Sequence, residues 1–258
     1  MAPSKLTIEF LGTGTSTGIP MIGCSCEVCT SDDNRDKRLR SSIMVSSPTT
    51  TIVIDTTPDF RQQMLRIQNT RLDAVLFTHP HKDHIAGLDD IRAYNFFQQK
   101  AMDVYANSLT VEALKREFAY VFADKKYPGI PEINLHEIDE TPFTVGDIDI
   151  IPFTVWHYKM PVFGFRFSSF VYITDANRLD STACKKIEGA QIITLNALRH
   201  EPHISHFTLS EALAVADTLK IPQAYFTHIS HQLGKHARIN AQLPVSRQLA
   251  FDGLRLFL

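Results

Sequence analysis

Long hydrophobic runs are missing from this chain. No apolar stretch approaches the roughly 18–20 residues that a bilayer crossing requires. Residues 1–10 carry no basic region followed by an apolar one, so no signal peptide is expected and the location expected is cytoplasmic. Charge of one sign is missing too. The 26 Lys and Arg against 28 Asp and Glu leave a net charge of −2 at pH 7. That argues against a protein held on nucleic acid or on an anionic membrane by bulk charge. Cysteine is scarce, with four residues, and thiols in the expected cytoplasm stay reduced, which favours a metal site over a disulfide framework. Repeats, low-complexity tracts and strong linkers are also lacking. With 44% hydrophobic residues and 17 Phe the chain has ample apolar surface to bury, which excludes general disorder. A single domain, 1–258, is the simplest organisation, large enough to need no disulfide staples.

Histidine is what the sequence has in excess: 11 residues, as many as glycine. Three of the four cysteines, Cys24, Cys26 and Cys29, fall within six residues. Together these point to metal.

Strand patterns recur along the chain. Residues 5–11 alternate, with Leu6, Ile8 and Phe10 on one side. Residues 42–46 and 50–54 read as a hairpin around Ser47-Pro48, and 60–67 as a helix after Pro58. A short β-rich run, 73–78, leads into His79. Helices are expected at about 85–97, at 109–122 and from Thr208 to about Leu219, where Thr208 and Glu211 form a capping box. Further strands fall near 133–138, 148–155, 163–167, 169–174, 191–195 and 223–227. Consecutive strands without intervening helices fit a doubly wound parallel sheet poorly. One α/β domain, with two sheets inside and helices outside, fits better. Residues 19–40 are polar and aperiodic, and a segment of that length needs an organiser, either a metal or a function.

The densest chemistry lies in His79-Pro80-His81-Lys82-Asp83-His84. His79 and His81 are two apart, so on extended chain they point to one side. Asp83 and His84 lie past a turn and can face a second point. Imidazoles with a carboxylate suit Zn²⁺, Mn²⁺ or Fe²⁺. Four ligand types in six residues exceed what one ion takes from so short a stretch, which suggests two adjacent ions able to activate a water between them.

HxHxDH after a β-strand resembles the metallo-β-lactamase superfamily, and the likeness extends over nearly the whole chain. It implies an αββα sandwich, two mixed β-sheets flanked by helices. It also implies later ligands at strand ends, and His157, Asp175 and His228 occur in that order. By this resemblance His79, His81 and His157 would hold one metal, Asp83, His84 and His228 the other, and Asp175 would bridge them. Asp55 matches an early strand-end Asp that orients metal-binding histidines.

Cys24-x-Cys26-x-x-Cys29 supplies three thiolates. A closed zinc site needs a fourth ligand. Cys184 and His231 are the candidates, His231 the better. The run Leu11 to Pro20, the cysteine triplet and Arg38-x-Arg40 together resemble the PhnP-type phosphodiesterases. In that group three such cysteines and a His just after the last active-site ligand hold a structural zinc, which supports His231. Cys184 then reads as a core residue of a short helix.

His200, His203 and His206 precede the capped helix. A histidine there could act as general acid on a leaving alkoxide or hold a phosphate oxygen. The resemblance carries a catalytic role to His206, with Asp83 and Asp55 completing the expected catalytic set. Arg38, Arg40 and Lys235 could contact a phosphate, though exposed charge is their commoner reading. His136 and His236 read as structural or surface residues.

The function expected is a metal-dependent phosphodiesterase cleaving a small diester, cyclic ones included, with Mn or Zn (Fe also fits) in the active site and one structural Zn. A tRNA 3′-end endonuclease shares the ligands but calls for a basic arm, and nucleic acid is not the expected partner. Lactone or thioester hydrolysis fits the same fold, as does a non-hydrolytic accessory role like that in pyrroloquinoline-quinone biosynthesis. A homodimer is the base-rate expectation.

Overall fold

The computed structural model describes residues 6–125 and 127–258. Lys5, where the first strand is expected to begin, lies outside them; that strand, β1, runs Thr7–Gly12. With it go β2 (Ser42–Ser46), β3 (Thr51–Ile54), β4 (Ala74–Leu76), β5 (Met102–Ala106) and β6 (Ile133–Glu137). The second half supplies β7 (Phe143–Val145), β8 (Ile148–His157), β9 (Met160–Phe167), β10 (Phe170–Tyr172), β11 (Ile192–Asn196), β12 (Gln223–Thr227) and β13 (Arg247–Leu249). The last strand, β14 (Arg255–Phe257), returns to the first half. They form two seven-stranded sheets, ordered β14-β1-β2-β3-β4-β5-β6 and β13-β12-β11-β10-β9-β8-β7.

Each sheet is mixed in the same way. Its hairpin end is antiparallel, and its other end, reached by helical crossovers, is parallel. The alternation of the sequence sets the layers. Ile52 and Ile54 face inward onto Phe165, Phe167, Phe170 and Tyr172 of the other sheet, while Val53 faces outward. The outer face of the first sheet is covered by α1 (Phe60–Ile67), α3 (Arg92–Gln98) and α4 (Ser108–Glu117), with α2 (Lys82–Ile85) at its rim. The second sheet is covered by α5 (Ser181–Ile187), α6 (Leu209–Thr218) and α7 (His236–Asn240). This is the αββα sandwich expected. No helix among the described residues is long and apolar enough to cross a membrane.

Two local expectations change. The single helix at 85–97 is three pieces: α2, a 3₁₀ turn at Leu88–Ile91, and α3. Gly87 explains the break. Its N–H leaves the helical ladder to donate to Thr56 O at 2.8 Å, and a Cβ there would meet Thr57 O at 2.1 Å. The helix at 109–122 stops at Glu117, although Phe118 and Val121 still pack into the outer core. Three short elements, β7, β13 and α7, carry too few residues for a period to register.

Candidate metal centre

Five strands end at one rim of the sandwich, and each carries a polar residue at or just past its end. These are Asp55 after β3, His79 after β4, His157 closing β8, Asp175 after β10 and His228 after β12. Asp55, Asp175 and His228 have φ of 67°, 53° and 56°. Left-handed backbone costs an L-residue about 1–2 kcal/mol. Three such residues at one rim mark strain kept for the geometry it gives.

The side chains converge on two points. His79, His81, His157 and Asp175 offer ligand atoms that all lie within 4.8 Å of one another, and so do Asp83, His84, Asp175 and His228. Asp175 belongs to both groups. His79 Nε2 lies 3.1 Å from His81 Nδ1 and 3.7 Å from Asp175 Oδ2. His84 Nε2 lies 3.3 Å from Asp83 Oδ2 and 3.4 Å from Asp175 Oδ2, and His228 Nδ1 lies 2.9 Å from Asp175 Oδ1. Yet the buried His84 Nε2 and His228 Nδ1 make no aligned hydrogen bond. Close atoms that do not point at one another but share a centre are what metal ligands look like.

A backing layer fixes which nitrogen faces inward. His84 Nδ1 donates to Asp55 Oδ2 at 2.8 Å, and Asp55 Oδ1 accepts from Thr78 N–H at 2.8 Å. Thr78 Oγ1 donates to Asp55 Oδ2 at 2.8 Å, so its lone pair accepts from His79 Nδ1–H at 2.9 Å. His157 Nδ1 donates to Ser205 O at 2.8 Å, and His228 Nε2 pairs with Thr15 Oγ1 at 3.2 Å. Four imidazoles thereby present a lone pair to the centre.

Electrostatics show the positive charge that the site calls for, which at His84 a cation would supply in place of a proton. Burial, reinforced by His84, holds the His79 imidazole well below its ordinary range. Burial pushes His84 down as well, but the carboxylates of Asp175, Asp83 and Asp55 outweigh it and hold His84 well above that range. Asp175 is likewise penalised by burial but held well below the carboxylate range by His228 and His84. Three buried or half-buried carboxylates around one imidazole are short of positive charge, and divalent cations supply it.

A second cluster lies outside the rim. Cys24, Cys26, Cys29 and His231 place their ligand atoms within 4.8 Å of one another. His231 Nδ1 is 3.4 Å from Cys24 Sγ and 3.3 Å from Cys26 Sγ. The Cys29 backbone N–H and then His231 draw the Cys26 thiol down to about 6, while burial pushes Cys29 up to about 11. Cys184 lies on α5, outside this group. Gly14 ties the same region to the rim. It bridges to both Arg40 and Ile229, and a Cβ there would meet Arg38 O at 2.9 Å.

His206 is buried with its ring between those of His157 (4.6 Å) and His228 (4.8 Å), and its Nδ1 has no partner among the described residues. Burial pushes it down to about 3. The other basic candidates are placed differently. Arg38 is neither exposed nor aimed at the rim. It is buried and donates to Thr13 Oγ1, Ala250 O and His236 Nδ1. Arg40 donates to Asp59 and Ser16 O. Lys235 sits at the start of α7. His136 is exposed beside Asp103, and His200 Nε2 donates to Leu233 O. Sequence reasoning missed Thr78 and Thr15. Thr78 had one available signal, a hydroxyl directly before the first histidine; Thr15 had none, because its partner is 213 residues away.

A family model described as beta-lactamase superfamily domain matches residues 50–229. The chain belongs to this superfamily. Among solved structures, a diphosphatase from the PhnP family shares 40% identity and a TM-score of 0.92, covering 98% of this chain and 97% of that one. This superfamily member is therefore PhnP-like. It is also 35% identical, over 95% of its length, to an octanoyltransferase from Porphyromonas gingivalis. It spans only 50% of that protein, and about half the length of the curated relatives it matches. Zinc-bound PqqB from Methylobacterium extorquens, 18% identical with a TM-score of 0.75, covers 98% of this chain and 100% of that one and shares the fold.

Proposed function

We propose that this chain is a metal-dependent phosphohydrolase cleaving small phosphodiester or diphosphate bonds. The observation that carries the reading is Asp175 standing in both rim clusters, which suits two adjacent cations and not one. Bound there, such cations would supply a water of lowered pKa and neutralise the phosphoryl oxygens. His79, His81 and His157 would hold one, Asp83, His84 and His228 the other, with Asp175 between.

The chain's own groups do the remaining work. Asp55 and Thr78 hold the His84 and His79 rings in place. Asp83, kept ionised because His84 outweighs its burial, accepts the proton of the attacking water. The water oxygen forms the new P–O bond, and the bond to the leaving oxygen breaks. His206, neutral by burial and unpaired at Nδ1 among the described residues, donates a hydrogen bond towards the departing oxygen, and that oxygen takes a proton from solvent while Asp83 returns its own to solvent. Cys24, Cys26, Cys29 and His231 would hold a structural zinc that ties the 19–40 loop to the rim.

The test is Asp175→Ala, assayed on a chromogenic phosphodiester with Mn²⁺ or Zn²⁺. A loss of at least about 10²-fold is expected, and undiminished turnover defeats the reading. The octanoyltransferase relative motivates a second reading, hydrolysis of an acyl thioester. Octanoyl thioester turned over faster than any phosphodiester would favour it.

A further inference from the structure

The loop from Arg199 to Ser205 forms one wall beside the rim, and it is pinned at several points. Ser205 O accepts from the ligand-type His157, and Ile204 O accepts from Asn177 Nδ2 at 2.9 Å. His200 Nε2 donates to Leu233 O, and Arg199 Nη1 donates to Gln232 Oε1 at 2.9 Å. His203 is carried on this fixed segment. Its ring centroid is 5.0 Å from that of His206, which in turn adjoins His157 and His228. A row of imidazoles thus leads outward from the rim: His228 and His157, then His206, then His203.

Two features set the chemistry of the outermost ring. Ser205 N–H and Oγ–H donate to His203 Nδ1 at 3.4 and 3.3 Å. That leaves the proton on Nε2, and no group among the described residues takes it. Arg199, whose charge reaches this ring, bonds only neutral oxygens: Glu201 O, Gln232 Oε1 and Pro202 O. No carboxylate pairs with it among the described residues. Burial and then Arg199 hold His203 below the ordinary imidazole range. A free N–H donor within the field of an uncompensated cation suits an anion, and a substrate cleaved beside His206 brings one if its leaving group is itself a phosphate.

We propose that His203, with the charge of Arg199 nearby, forms the subsite for the second phosphoryl group of a diphosphate substrate. The proposal rests on the phosphohydrolase reading and narrows its substrate class to diphosphates over simple diesters.

The test compares wild type, His203→Ala, His203→Gln and Arg199→Ala, each loaded with Mn²⁺ and matched for metal content and thermal midpoint. The first readout is the affinity for imidodiphosphate and for orthophosphate, measured by calorimetry. Wild type should bind imidodiphosphate the more tightly. His203→Ala should cut that preference about tenfold, His203→Gln should restore most of it, and Arg199→Ala should cut it about threefold. The second readout is kcat and KM on ADP-ribose and on bis(4-nitrophenyl) phosphate. KM for ADP-ribose should rise several-fold more in His203→Ala than KM for the simple diester. Equal losses for both probes, or no preference in wild type, would overturn the subsite. If wild type hydrolyses neither compound, the phosphohydrolase reading fails by itself, and the calorimetric preference still decides His203.

Discussion

The rim cluster and the cysteine cluster are built in opposite ways. At the rim most side chains leave the ends of strands from both sheets and are buried, His81 and Asp83 at the start of α2 being the more open ones, and each histidine ring with a fixed inward nitrogen has a partner behind it. The cysteine cluster sits on a loop of turns with one 3₁₀ segment, Asn34–Asp36, and Cys24, Cys26 and His231 are only half-buried. Its ligand atoms lie against one another, and local backbone N–H groups back two of the sulfurs: Met21 N–H donates to Cys29 Sγ and Cys29 N–H to Cys26 Sγ. The rim is thus organised by the fold before any ion arrives. In the loop, an ion held by the four ligands would add to the order that local bonds give. A catalytic centre needs the first arrangement, because its geometry must survive turnover. A structural zinc fits the second.

That contrast can be broken most directly at Asp55. Its carboxylate is fully buried and accepts from His84, Thr78 N–H and Thr78 Oγ1. Asp55→Ala leaves these donors unpaired, so a stability loss of about 3 kcal/mol is expected. Affinity for the active-site metals should fall about 10–100-fold. Denaturant unfolding and metal titration measure both. Unchanged metal affinity would mean that the backing layer does not organise the rim.

Cys26→Ser should act on the other region. One zinc per chain should be lost, the thermal midpoint should drop by several degrees, and the 19–37 segment should become sensitive to limited proteolysis. The remaining metal should stay bound at the rim. Elemental analysis with proteolytic mapping separates the outcomes. Loss of all metal together would show the two regions to be one cooperative unit.

Arg38 sharpens the boundary between them. It is buried, with bonds to Thr13 Oγ1, Ala250 O and His236 Nδ1 and no carboxylate within ion-pair distance among the described residues. Arg38→Met should cost about 2 kcal/mol of stability through the orphaned carbonyl and lost packing. KM for phosphodiesters should stay within twofold. A large KM change instead would return this arginine to substrate binding.

These placements show what the sequence can carry. HxHxDH was legible because all four residues sit on one strand-to-helix turn, where spacing alone implies convergence. The expectation that His157, Asp175 and His228 join them came from family resemblance. The structure shows why periodicity was silent on them: they meet only because β8, β10 and β12 end at the same rim. The fold class was readable from hairpins followed by crossovers. Gly87 was not, since its effect depends on the close approach of Thr56 and Thr57 from another element. Arg38 was misjudged for the same reason. An Arg in the charged run Asp36-Lys37-Arg38 reads as exposed, and only the return of Ala250 and His236 buries it.

The smallest expected effect concerns His236. Arg38 Nη2 donates to its Nδ1 at 3.0 Å, and its own backbone N–H donates to Asp36 Oδ1 at 2.7 Å. Burial and then the facing Arg38 push it down to about 4, with Arg35 adding to the effect and Asp33 and Asp36 opposing it. The folded state therefore binds fewer protons than the unfolded chain between pH 6.5 and about 4. Stability should be complete above pH 6.5 and decline as pH falls through that window. His236→Asn keeps an acceptor for Arg38 and removes the titration. The difference in unfolding free energy between wild type and this variant should shift against wild type from pH 7 to pH 5. Parallel curves for the two proteins would show that this buried pair does not couple folding to pH, and would leave the acid sensitivity to the rim and the cysteine cluster.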